Sequence, residues 1–222
     1  VAGEIPPDVF INLAETQQII IPLTRHLLKL IAHDAPVLQT LLPAGIKLGI
    51  NISPLHLHAE SFQQDLKHFA AAMPADHFKL VLEITERAMI DKNRSLENFD
   101  WLHEQGFEIA IDDFGTGYAS YARLKNVNAD ILKIDGSFIR NIVSNSLDYQ
   151  IVASICHLAR MKRMLVVAEY VESEEIRSAV ISLGIDYMQG YLIGKPQPLH
   201  EMLEEQVPEE LAPAESLCGD IG

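Results

Sequence analysis

Hydrophobic positions along this chain recur in two alternating rhythms. After Pro6-Pro7, Ile20, Leu23, Leu27, Leu28 and Ile31 fall three and four residues apart, which predicts a helical stripe within residues 1–45. Short apolar runs then predict strands at Ile46–Ile52, Phe78–Ile84, Phe107–Asp112, Ala129–Ile134, Met164–Ala168 and Ile185–Gln189, with Tyr191–Ile193 extending or following the sixth. Helical patterns fall between them. Phe62, Leu66, Phe69 and Ala70 make one face before Pro74, and Ser95 is placed to cap a helix carrying Leu96, Phe99 and Leu102 and stopping at Gly106. Ala119–Leu124 is a short helix candidate, and Ile151, Ile155, Leu158 and Ala159 share another helical face. Ser173 caps a helix whose first turn carries Glu174 and Glu175, favourable at the positive end of the dipole, and whose stop is Gly184.

Strands alternating with helices predict a mainly parallel sheet. The polar residues closing the strands decide its shape. Asn51, Glu83, Asp112 with Asp113, Lys133, Glu169 and Gln189 stand at successive strand ends. In an open sheet, with strands about 4.8 Å apart, six such ends would spread over roughly 24 Å. A closed sheet gathers them around one mouth, as at the C-terminal face of a (β/α)8 barrel. The expected fold is therefore α/β, a barrel showing six of its eight strands, with residues 1–203 as one domain and 204–222 as an acidic, proline-containing, disordered tail.

Composition narrows the partners. At 222 residues, 48% hydrophobic and 22% charged, the chain can bury a substantial core. A formal charge of −14 argues against duplex nucleic acid, whose binding relies on clustered Lys and Arg. No apolar run approaches the roughly 18 residues of a membrane-spanning helix. Cys156 and Cys218 fit neither a disulfide framework nor a metal knuckle, so a reducing, cytoplasmic location is expected.

Single motifs here have ordinary readings. Asp112-Asp113 alone suits a turn, Lys133 beside Asp135 suits a surface ion pair, and Gly115-Thr116-Gly117 lacks the Lys of a phosphate-binding loop. His56 and His58 are read as surface or loop residues, and Cys156 with His157 as core and helix surface. The ordered set is another matter. Asn51-Ile52-Ser53, Glu83-Ile84-Thr85-Glu86, Asp112-Asp113-Phe114-Gly115-Thr116-Gly117-Tyr118, Lys133-Ile134-Asp135, Glu169 with Val171-Glu172, and Gln189-Gly190-Tyr191 resemble the motifs of EAL-domain cyclic di-GMP phosphodiesterases over residues 1–200.

That resemblance implies a modified TIM barrel that uses two divalent ions, Mg2+ or Mn2+, to hydrolyse cyclic di-GMP to linear pGpG in bacterial signalling. It places Asn51, Glu83 and Asp112 on a first metal, and Asp112 with Asp113 on a second. Lys133 orients or deprotonates the attacking water, positioning being the preferred role because the surrounding carboxylates would raise its pKa, and Glu169 and Gln189 hold the same network. Glu86, Glu172, Gly115, Thr116 and Gly117 support the loop after Asp113 and its neighbourhood. The chemistry is coherent, because carboxylates would repel a dianionic substrate unless hard cations intervened. The resemblance also implies a homodimer and an N-terminal sensory or regulatory domain in the parent protein, with any inner-membrane anchor upstream.

The chain departs from the family in two places. The Glu-Ala-Leu segment does not occur in it, and Val1 to Pro7 resembles sequence just downstream of that segment. By the resemblance, one or more early strands, a metal-binding glutamate and a phosphate-contacting arginine belong upstream. Tyr170 stands where the family has Gly, able either to stack on a guanine or to crowd the pocket. A noncatalytic module that binds cyclic di-GMP or a protein partner is the alternative function.

Overall fold

Six strands form the structure's single sheet among the residues described by this computed structural model, which are 5–86, 88, 92–115, 124 and 127–205. They are β1 (Ile46–Asn51), β2 (Phe78–Thr85), β3 (Glu108–Phe114), β4 (Ile131–Ile134), β5 (Leu165–Ala168) and β6 (Tyr187–Met188). Each pairs in parallel with the next, in sequence order. The helices between them are α3 (Pro54–Leu57), α4 (Phe62–Ala72), α5 (Lys92–Glu104), α6 (Gly136–Ile139), α7 (Ser146–Met161) and α8 (Glu174–Ser182); α1 (Pro7–Thr16) and α2 (Ile20–Leu41) precede the sheet, and α9 (Leu199–Glu205) follows it. The architecture is a curled α/β part-barrel of the TIM type, in which β1 and β6 do not pair.

The register sorts every strand residue onto one of two faces. Ile50, Leu82, Ile84, Ile109, Ile111, Leu132, Ile134, Val166 and Ala168 point outward into one core with Leu28, Phe62, Leu66, Phe69, Phe99, Leu102, Val152, Ile155, Val180 and other helix residues. Complete burial of each such side chain contributes about 1.5–3 kcal/mol. The opposite face carries a smaller cluster, Val81, Ala110 and Ile131, with Leu165 and Val167 against it. All four residues of β4 are buried, Lys133 among them, because both faces of the sheet are covered there. Side chains also extend the ladder: Asp130 accepts from the Ile109 N–H and Asp186 from the Val166 N–H, both at 2.8 Å.

Several boundaries differ from the sequence reading. α5 begins at Lys92, so Ser95 lies within it rather than at its start, whereas Ser173 caps α8 through the Ile176 N–H. The sixth strand shortens to two residues, and Tyr191–Ile193 forms a turn. The helix expected over Ala119–Leu124 lies, apart from Leu124, outside the described residues. The apolar stripe of α2 is only half covered. Ile20 and Leu28 are buried, but Leu23 and Leu27 are exposed, because β1 is the edge of the sheet and α2 has a barrel neighbour on one side only.

His56 is not the surface residue its loop-like context predicts. It is fully buried in α3, with Nε2 3.0 Å from Asp65 Oδ2 and its ring edge-on to Phe62, while Arg25 Nε donates to both Asp65 oxygens at 2.9 Å. Helix formation at Pro54 and the Asp65 acceptor on α4 turn the ring inward. Burial lowers the imidazole pKa, and the Asp65 carboxylate opposes this without overcoming it. The unfolded chain therefore binds a proton near pH 6.5 that the folded chain refuses. Folding stability should fall as pH drops below about 6.5 and level off below the depressed folded pKa. Urea titrations of the wild type and His56→Gln, which keeps a donor toward Asp65, should show this slope in the wild type and its loss in the variant.

Candidate active site

The strand face that carries Val81, Ala110 and Ile131 continues, two residues further on, into ionisable groups. Register pairs Asn51 with Glu83, Glu83 with Ala110, Thr85 with Asp112, and Lys133 with Val167. Because side chains alternate with period two, Asn51, Glu83, Asp112 and Lys133 share this face, and Glu169 continues it just beyond β5. The apolar cluster thus forms a floor, and the C-terminal strand ends form a charged layer above it.

Lys133 is the centre of that layer. Its ammonium lies 2.7 Å from Glu83 Oε2, 2.9 Å from Asp112 Oδ1 and 2.8 Å from Glu169 Oε1, matching its three donors with three carboxylates. Lys133 is 5% exposed, so isolated charge there would be costly. Burial by itself would lower its pKa, but the three carboxylates outweigh that and hold it well above the ordinary lysine value. Glu169 is shifted upward too: burial raises its pKa, Lys133 opposes, and the Asp112 and Asp113 charges reinforce the rise.

Adjacent strand residues ordinarily face opposite ways, yet Asp112 and Asp113 both reach the site. The pairing of β3 with β4 slips between Ile111 and Phe114, and Asp113 adopts a left-handed φ of 54°. Its N–H donates to Asp112 Oδ1 at 3.1 Å. This bulge turns the second carboxylate back over the sheet end. Carboxylate oxygens of Asp112, Asp113 and Glu169 consequently lie within 4.8 Å of one another. With Glu83 they make four carboxylates against one ammonium, and the excess negative charge and hard oxygen donors fit a divalent cation.

The remaining expected residues take different places. Asn51 and Gln189 stand at the ends of β1 and beyond β6, both exposed, with no side-chain hydrogen bond among the described residues. Gln189 is fixed through its backbone, its N–H donating to the Ala168 carbonyl and its own carbonyl accepting from Val171. Glu86 is buried past β2 and Glu172 is exposed. Gly115 has a φ of 110°, and a Cβ there would press on the Phe138 ring, so both conformation and packing demand glycine. Thr116, Gly117 and Tyr118 lie outside the described residues. Asp135 does not pair with Lys133; it caps α6 through the Ser137 N–H. Cys156 is buried in the core, where desolvation raises its pKa, and His157 is exposed.

Gly49 is the site residue that the sequence reading missed. A Cβ at this position in β1 would overlap Glu83 Oε1, so its absence makes room for the carboxylate beside Lys133. The signal was available, since a glycine inside a strand often marks a close approach. Tyr170, next to Glu169, has a φ of 55°; its ring lies where a Cβ on Gly136 would be, and the Arg140 guanidinium sits 4.0 Å from the ring centroid.

The EAL domain family model matches residues 1–196. The chain is 54% identical over 209 residues to the cyclic di-GMP phosphodiesterase PdeF of Escherichia coli K12, covering 92% of this chain and 27% of PdeF. It is 48% identical over 203 residues to the probable cyclic di-GMP phosphodiesterase PdeN of the same strain, covering 91% of this chain and 39% of PdeN. The chain therefore spans well under half the length of these two relatives. Among solved structures, the cyclic di-GMP complex of PaMucR phosphodiesterase superposes with a TM-score of 0.82 at 31% identity, covering 89% of this chain and 81% of that one. The EAL enzyme Bd1971, bound to cAMP and cyclic di-GMP, superposes with a TM-score of 0.84 at 28% identity over 91% of this chain and 56% of that one. This chain belongs to the EAL domain family. No helix among the described residues is long and apolar enough to cross a membrane.

Proposed function

We propose that the protein hydrolyses one phosphodiester of cyclic di-GMP, giving linear pGpG, with divalent cations held by the carboxylates at the strand ends. The observation that carries this reading is the convergence of Glu83, Asp112 and Glu169 on Lys133, with Asp113 brought alongside by the β3 bulge. Names of the relatives supply the substrate class. Asn51, Glu83 and Asp112 would hold one Mg2+ or Mn2+, and Asp112 with Asp113 a second. Such ions, when bound, offset phosphate charge and acidify water.

The chain's own groups then have separable tasks. Lys133, fixed by three carboxylates, holds a positive charge beside the place where the nucleophilic water would sit; its paired, protonated state suits positioning better than proton abstraction. Glu169, beside both Lys133 and the aspartates, orients the same water. Gln189 contributes an amide at the neighbouring strand end. The apolar floor of Val81, Ala110 and Ile131 excludes solvent beneath them. Incubation of the purified full-length protein with cyclic di-GMP and Mg2+ or Mn2+ should yield pGpG by chromatography. Tight cyclic di-GMP binding with no product under either ion would overturn hydrolysis in favour of a regulatory binding module.

A further inference from the structure

We infer that Arg140 reads the guanine base of the bound nucleotide, held for that purpose by the ring of Tyr170; this rests on the cyclic di-GMP reading above. Both residues stand at the C-terminal mouth of the sheet. Tyr170 directly follows Glu169, and Arg140 closes α6, the short helix that begins three residues after Lys133. They are not part of the acidic centre. Arg140 is exposed and makes no ion pair among the described residues, although the chain has 31 acidic side chains against 17 Lys and Arg. Its guanidinium carbon lies over the Tyr170 ring, 4.0 Å from the centroid.

The ring itself is held at some cost. A tyrosine at φ 55° sits in the left-handed region that side chains with a Cβ rarely adopt. The ring rests on Gly136, where any Cβ would collide with it, and yet Tyr170 remains 45% exposed. Strain, a cleared seat and an open aromatic surface coincide beside the charged centre. Stacking on the ring restricts the guanidinium plane while leaving its N–H edges directed to solvent.

A planar fork of donors matches the paired acceptors O6 and N7 of guanine. Adenine presents an N6 amino donor in place of O6, so one arm of the fork would face another donor. The carboxylates and their cations can take the phosphates, but they contain nothing that distinguishes these bases. Arg140 supplies that distinction from outside the acidic layer, and the Tyr170 ring adds an apolar wall.

The test is equilibrium binding of cyclic di-GMP and cyclic di-AMP to the full-length protein by calorimetry, with Ca2+ in place of Mg2+ to slow turnover, alongside a separate hydrolysis assay. Arg140→Ala and Arg140→Lys should each weaken cyclic di-GMP binding roughly tenfold or more, and change cyclic di-AMP binding far less, because Lys keeps the charge but not the fork. Tyr170→Gly relieves the positive φ and should narrow the same selectivity by releasing Arg140. Wild-type selectivity retained in the Arg140 variants overturns the inference, as does an equal loss for both dinucleotides, which would mark a plain charge effect. Those results leave the hydrolysis reading standing if the wild type makes pGpG. A wild type that selects cyclic di-GMP through Arg140 without cleaving it removes hydrolysis and leaves the base reader. A wild type that binds neither dinucleotide removes both.

Discussion

Asp112→Asn is expected to cut cyclic di-GMP turnover by on the order of 10^3-fold while leaving the protein folded. Asn has nearly the same shape, and its carbonyl oxygen can still accept the Asp113 N–H that stabilises the bulge. What disappears is one negative charge at the point where Lys133 lies 2.9 Å away and where the Asp113 and Glu169 oxygens gather. The two proposed cation positions lose the carboxylate they share, so Mn2+ affinity should fall together with turnover. Product formation by chromatography, Mn2+ calorimetry and a melting curve separate chemistry from folding. Undiminished turnover would remove Asp112 from the mechanism, and a collapsed melting curve would assign it to the fold instead.

Lys133→Met should be the more damaging change to the protein itself. Met has similar length and no charge, and the substitution leaves Glu83, Asp112 and Glu169 facing one another in a layer that is largely closed to solvent. Removing one member of a buried ion network costs about 3–5 kcal/mol, because the partners stay desolvated without compensation. The loss should shrink as pH falls from 7 to 5, since Glu169, whose pKa is raised by burial and by the Asp112 and Asp113 charges and would lose the opposing Lys133, can then protonate. Added Mg2+ should recover stability in Lys133→Met by more than it adds to the wild type, as the ion replaces the missing positive charge. Urea unfolding at the two pH values, with and without Mg2+, measures all of this. A loss below about 1 kcal/mol at pH 7 would show that solvent, not Lys133, screens the carboxylates.

β2 and β3 were legible because their apolar runs are long, and their order was legible because consecutive strands pair in parallel. β6 was overestimated: Ile185 to Gln189 has the composition of a strand, but only Tyr187 and Met188 find a partner across from Val167 and Ala168. The left-handed turn at Asp113 left no clear trace, since adjacent aspartates fit a plain turn equally well. His56 was read from its loop-like surroundings, and its burial depends on Asp65 and Phe62, which lie on α4. A contact between elements has no periodicity that would mark it in the chain.

By itself the sequence determined the class of fold, the parallel order of its strands and the identity of the polar residue at each strand end. These are local properties: apolar runs fix where strands form, and period two fixes which residues share a face. Only the tertiary structure decided that Lys133 takes Glu83, Asp112 and Glu169 together rather than its neighbour Asp135, that Gly49 vacates the space Glu83 occupies, and that Tyr170 carries Arg140. Each of those is a contact between elements that the curl and register of the sheet bring side by side. Such features bring together side chains tens of residues apart, and their geometry is set by packing across the whole barrel face.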